Sequence, residues 1–195
     1  MATKESQATN VVLLEGTLLL QQGKFDEAKE NYEQTLKKEP ENLEALYGLG
    51  IIYQFQENYE VAQDYFGQAL NLQEVSVPVL NSYGLVSAHL GDKEAARQSF
   101  EKAIEIDPEY VDARKNLADI YIDTGEFEKG IQTYKVILEN HPHDVNTLLT
   151  VAGLYWEIHD HDSVKYILEK VLEIEPDNVP AKQGLEKILK GELTE

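Results

Sequence analysis

Small, aromatic and polar positions recur along this chain with a period of 34 residues. Pro40, Pro108, Pro142 and Pro176 mark it, with Glu74 in the place of one missing proline. Repeats counted from Thr9, Leu43, Val77, Val111 and Val145 align in columns. The eighth position reads Gly16, Gly50, Gly84, Ala118 and Ala152, and the twentieth Ala28, Ala62, Ala96, Gly130 and Val164. The twenty-fourth reads Tyr32, Phe66, Phe100, Tyr134 and Leu168. Small residues let two helices approach closely, and the aromatic fills the space beside them.

Each repeat predicts two helices. In the third, one helix runs from Val77 to Leu90, Gly91 turns the chain, and Asp92 caps a second helix that ends near Asp107, before Pro108. Gly23 and Gly125 recur at the turn, whereas Glu57 and His159 replace the glycine and predict strained turns. Asn42, Ser76, Asp144 and Asn178 are N-cap residues before the following first helices, and Tyr110 is the exception. Pro78 and Pro180 fall in first turns, where a missing N–H is tolerated.

These columns, and above all the segments LYGLGIIYQ and YGLVSAHLGDKEAARQSFEKAIEIDP, resemble the tetratricopeptide repeat (TPR). The resemblance implies an all-α fold, an α-α superhelix in which antiparallel helix pairs stack as a right-handed solenoid. It divides the chain into a leader at 1–8, repeats at 9–42, 43–76, 77–110, 111–144 and 145–178, and a capping helix and tail at 179–195. The cap, from Val179 to Lys190, turns Lys182, Lys187 and Lys190 to water. Glu15 stands where the family has an apolar residue, and Thr35, Ile137 and Val171 where it has a small one.

The chain carries 36 acidic and 17 basic side chains, a net charge of −19. That disfavours nucleic acid and anionic lipid, whose phosphates need Lys and Arg. Position eighteen holds Asp26, Glu60, Glu94, Glu128 and Asp162. There the dipole of a second helix stabilises an anion by about 0.3–1 kcal/mol, so these acids need no ligand to explain them. There is no cysteine, which removes disulfides, thiolate metal sites and cysteine nucleophiles.

No catalytic motif, metal site or cofactor site emerges. His141 and His143 lie between repeats, and His159 and His161 lie within the fifth, one helix or roughly 20 Å away. Neither pair supplies enough ligands for a closed metal site. Gly48-Leu-Gly50 sits inside a helix with no strand before it, so it is not a phosphate loop. The chain is expected to be non-enzymatic by itself. Its most apolar stretch, Val11 to Leu20, is interrupted by Glu15 and Gly16 and is too short for a membrane span. A cytoplasmic protein is expected, although a removed export signal would leave no trace.

In the resembled family the first helices line a concave groove that holds partner segments. The matching positions here divide into two zones. Leu13, Tyr47, Ile51, Phe55 and Leu85 form an apolar zone, with Asn81 to bond a ligand backbone. Lys115, Asn116, Asp119 and Asp123, with Trp156, form a polar and acidic zone. The alternative for Leu13 and Ile51 is burial within the array. The lysine, arginine and asparagine clamp of the family's chaperone-binding members is not matched, because its places hold Leu13, Thr17, Gly48, Pro78 and Ser82. The expected function is a protein-interaction adaptor that binds a peptide or helix with apolar anchors and a basic end. One alternative is a self-assembling scaffold, forming homo-oligomers through its apolar N-terminal helix. Another is a regulatory docking module of a larger enzyme.

Overall fold

A computed structural model describes residues 4–72 and 76–190, with the side chains of residues 4–8 left aside. Glu74, which fills the proline gap in the period, lies outside the described residues. Among these residues there are eleven helices and no strand. They are α1 (Lys4–Gln21), α2 (Phe25–Lys38), α3 (Leu43–Phe55), α4 (Tyr59–Leu70), α5 (Val77–His89), α6 (Lys93–Ile106), α7 (Val111–Asp123), α8 (Phe127–Asn140), α9 (Val145–Glu157), α10 (His161–Ile174) and α11 (Val179–Lys190). The chain divides into two compact units, residues 1–113 and 114–195.

The helix ends follow from local chemistry. Asn42 accepts the Ala45 N–H at 3.0 Å, Asp92 the Ala95 N–H at 2.9 Å, and Asn178 the Ala181 N–H at 3.0 Å. Asp144 and Asp160 cap α9 and α10 in the same way, and each also takes a hydroxyl at 2.7 Å, from Thr147 and Ser163 respectively. Ser76 departs from the sequence expectation: its backbone is extended as a cap should be, but its side chain makes no capping bond. The turn inside each repeat needs one residue with positive φ. Gly23, Gly91 and Gly125 take it at 73°, 85° and 79°. Glu57 and His159 are forced into it at 59° and 60°, where their Cβ atoms cost energy that glycine avoids.

In the first unit the small and aromatic columns interlock. Tyr32 packs with Leu13, Ala28, Ala45, Leu49 and Ile52, and Phe66 with Leu46, Ala62, Ala69, Val79 and Val86. A Cβ added to Gly50 would lie 2.3 Å from the Phe66 ring, and one added to Gly84 would lie 2.5 Å from Phe100. Gly48 is likewise pressed against Tyr32, at 2.4 Å. Both glycines of Gly48-Leu-Gly50 are therefore contact points for rings. Thr35, where the family has a small residue, is fully buried, and its hydroxyl is satisfied by donating to the Asn31 carbonyl at 3.0 Å.

In the second unit Leu148, Val151, Val164, Leu168 and Val171 are buried. Helix α11 covers α10 through Ala181 and Gly184, whose added Cβ would meet Leu168 at 2.5 Å. Lys182, Lys187 and Lys190 are exposed. Lys182 pairs with Asp177 at 2.9 Å and Lys190 with Glu186 at 2.6 Å.

Candidate functional site

The first-helix surface of the first unit is built on its core. Tyr47 is half-buried, with its ring tilted 5.8 Å from Phe66, and Ile51 packs on the same cluster. Leu85 is half-buried. Phe55 is 68% exposed and stacks on Phe25 at 5.4 Å between ring centroids. A large aromatic left in water on a rigid support is a ready anchor for a partner.

Two of the residues expected on this surface belong elsewhere. Leu13 is only 7% exposed, because it packs under Tyr32 in the first cluster. Asn81 is 8% exposed and sits among the buried residues of α5, so its amide offers little to a ligand backbone. Burial was the alternative for both Leu13 and Ile51: Leu13 takes it, and Ile51 is partly covered.

The structure adds partners that single positions did not reveal. Phe55 rests on Phe25, and one repeat later His89 stacks on Tyr59 at 4.4 Å with rings 5° from coplanar. In both pairs position thirteen of one repeat lies on position seventeen of the repeat before. Position seventeen carries a ring in four of the five repeats, but position thirteen does so only at Phe55 and His89, so the pairing shows in the sequence in these two places alone.

The corresponding surface of the second unit is polar. The Tyr134 hydroxyl donates to Asp119 Oδ1 at 2.6 Å. Burial pushes the Tyr134 phenol well above its ordinary range, and the bond to Asp119 raises it further. The phenol thus fixes an exposed carboxylate from beneath. Lys115 Nζ lies 3.6 Å from Asp144 Oδ2, so this lysine serves the α9 cap. Burial pushes the Asp144 carboxyl up, but the Thr147 hydroxyl and N–H, with Lys115, outweigh it and hold the carboxyl below its ordinary value. Asn116 is half-buried and Asp123 exposed. Trp156 is half-buried and meets His161 edge-on at 5.4 Å.

Among the described residues no group of three or more His, Asp or Glu side chains is arranged to hold a metal. No described helix is long and apolar enough to cross a membrane.

Models of the tetratricopeptide repeat match residues 13–54, 50–111 and 88–152. The chain belongs to the tetratricopeptide repeat family. Its fold class is therefore the all-α repeat of antiparallel helix pairs, a protein-interaction scaffold. No curated protein matches the chain in sequence. Among solved structures it is similar to a MamA protein, at 25% identity over 96% of this chain and 97% of that one, with a TM-score of 0.77. It is similar in fold to MamA from Desulfovibrio magneticus RS-1, residues 41 to the end, at 20% identity over 88% and 97% of the two chains, with a TM-score of 0.78. A third relative in fold is YrrB, described as a TPR protein with an unusual peptide-binding site. It matches at 20% identity over 90% of each chain, with a TM-score of 0.75.

Proposed function

We propose that this chain is a non-catalytic adaptor that holds a peptide or helix of another protein against its first helices. The exposed Phe55 ring, stacked on Phe25, carries this reading. It offers apolar area at little entropic cost, because the stack already restrains the side chain. The half-buried Tyr47, Ile51 and Leu85 extend the apolar contact within the first unit. In the second unit Asp119 and Asp123 favour Lys or Arg on the partner, and the bond from Tyr134 holds the Asp119 carboxylate in place. The peptide-binding site of YrrB supports the reading through the shared fold.

The test is selection of peptides on the intact chain from a random display library, followed by calorimetric titration. Selected peptides should carry an aromatic or aliphatic anchor for the first unit, or Lys or Arg for the second. Phe55→Ala should weaken those of the first unit at least about tenfold, which is 1.4 kcal/mol, while far-ultraviolet circular dichroism stays unchanged. Equal affinity for Phe55→Ala and the parent chain would sink the proposal.

A further inference from the structure

The second unit holds a cleft that the groove positions do not use. It lies over α9, between α8 and α10, with a volume of ≈ 420 Å³. On α9 it is bounded by Leu148, Val151 and Tyr155, the fourth, seventh and eleventh positions of the repeat. Those positions fall on the side of the helix opposite the groove positions. Leu148 and Val151 are buried, as is Ile167 of α10, so the floor is apolar. A space of that size admits a bulky side chain.

The second repeat shows what fills such a space. There Leu46 and Leu49 form the same buried floor, and Tyr53 stands at the eleventh position. Tyr65, at the twenty-third, stacks on Tyr53 with ring centroids 5.6 Å apart and planes 10° apart. In the fifth repeat the twenty-third position is Ile167, so the ring that would stack on Tyr155 is missing. The walls change with it. Lys135 of α8 and Lys170 of α10 stand in the places of Glu33 and Gln68, and Glu139 in that of Lys37. The cleft is thus lined by two ammonium groups and one carboxylate, where the second repeat has one of each. Lys135 lies over the Tyr155 ring at 5.4 Å and Lys170 over the Tyr166 ring at 6.0 Å. Neither lysine makes an ion pair among the described residues. The Asp160 carboxylate, which feels Lys135, is already bonded to the Ser163 N–H and hydroxyl. Tyr166 is 64% exposed on the rim.

We propose that this cleft receives an aromatic side chain of a partner protein, with a neighbouring Asp or Glu of that partner held by Lys135 and Lys170. The incoming ring stacks on Tyr155 as Tyr65 does on Tyr53, over the floor of Leu148, Val151 and Ile167. The partner carboxylate meets ammonium groups that the tyrosine rings already restrain. The exposed Tyr166 offers apolar area beyond the cavity, which a protein segment covers and a small free molecule does not. This cleft selects an acidic segment, whereas Asp119 and Asp123 favour a basic one, so the two surfaces recognise different partners.

The test is a nuclear magnetic resonance titration of the isotope-labelled intact chain with the peptide Gly-Glu-Trp-Glu-Gly, blocked at both ends. Backbone amides of Tyr155, Ser163 and Ile167 should shift and saturate, and the shifts should persist in Phe55→Ala. Gly-Gln-Trp-Gln-Gly and Gly-Glu-Ala-Glu-Gly should each bind at least about threefold more weakly. Ile167→Tyr, which restores the ring of the second repeat, should weaken the first peptide at least about tenfold. Lys135→Gln combined with Lys170→Gln should weaken it at least about threefold. No saturating shift up to about 5 mM peptide overturns the proposal. So do shifts that vanish in Phe55→Ala, equal binding of the glutamine peptide, or unchanged binding by either folded variant. N-acetyltryptophan that binds as tightly as the peptide assigns the cleft to a free small molecule and overturns the protein partner. A circular dichroism melt verifies folding, and the lysine variant decides if Ile167→Tyr does not fold.

Discussion

The first helices of the two units present opposite chemistry on the same repeat positions. In the first unit Ile51 sits at the ninth position of its repeat and packs with the cluster around Phe66. In the second unit Asp119 occupies the ninth position and accepts a bond from Tyr134. Thr17, the ninth position of the first repeat, receives the Tyr32 hydroxyl at 3.4 Å and donates to Glu44 at 2.9 Å. Tyrosine at position twenty-four thus goes with a polar ninth position, and phenylalanine with an apolar one. The buried ring reaches through to the surface, and its hydroxyl must find a partner there. The character of the binding surface is therefore partly set by the core residue behind it.

The largest expected effect tests this link directly. Tyr134→Phe removes a bond to a charged group and should cost about 1.5–3 kcal/mol. Tyr32→Phe removes a longer bond to a neutral hydroxyl and should cost clearly less, by about 1 kcal/mol. Denaturant unfolding of the two variants measures the difference, and equal losses would break the comparison.

A smaller effect separates the units by pH. Asn42 caps α3 without an ionisable group, whereas Asp144 caps α9 as a carboxylate. The folded-state pKa of Asp144 lies below its ordinary value of 3.8. Its contribution is thus full above that value and is lost as pH falls through the depressed pKa. Asp144→Ala should cost about 1 kcal/mol at pH 7, and the loss should vanish in acid. Asn42→Ala should cost a similar amount without that pH dependence. Thermal melts across the acid range measure both.

The smallest effect uses the two turns that lack glycine, one in each unit. Glu57→Gly and His159→Gly should each stabilise by about 0.5–1 kcal/mol, because glycine takes positive φ without a Cβ penalty. A stabilisation confined to one variant would show that the two turns are not equivalent.

Much of the fold was legible in the sequence. The glycine and aromatic columns located the contacts of Gly50 with Phe66 and of Gly84 with Phe100. The exceptions Glu57 and His159 marked the two non-glycine residues with positive φ among the described residues. The candidate surface was less legible. Leu13 and Asn81 share columns with residues that do reach solvent, yet both are buried. Ser76 has a cap residue's chemistry and backbone but makes no capping bond.

The sequence by itself determined the helix pairs, their register and the family, because these depend on local propensity and on a period repeated five times. Tertiary structure alone decided which apolar residues remain in water. Val11, Leu14 and Leu18 of α1 are exposed, whereas Ala45, Gly48 and Ile52, at the same positions of the second repeat, are buried around Tyr32, because burial depends on what packs against a helix and not on the pattern along it. Conversely, a column says that a side chain points toward the groove, while its burial is set by the bulk of the residues packed around it.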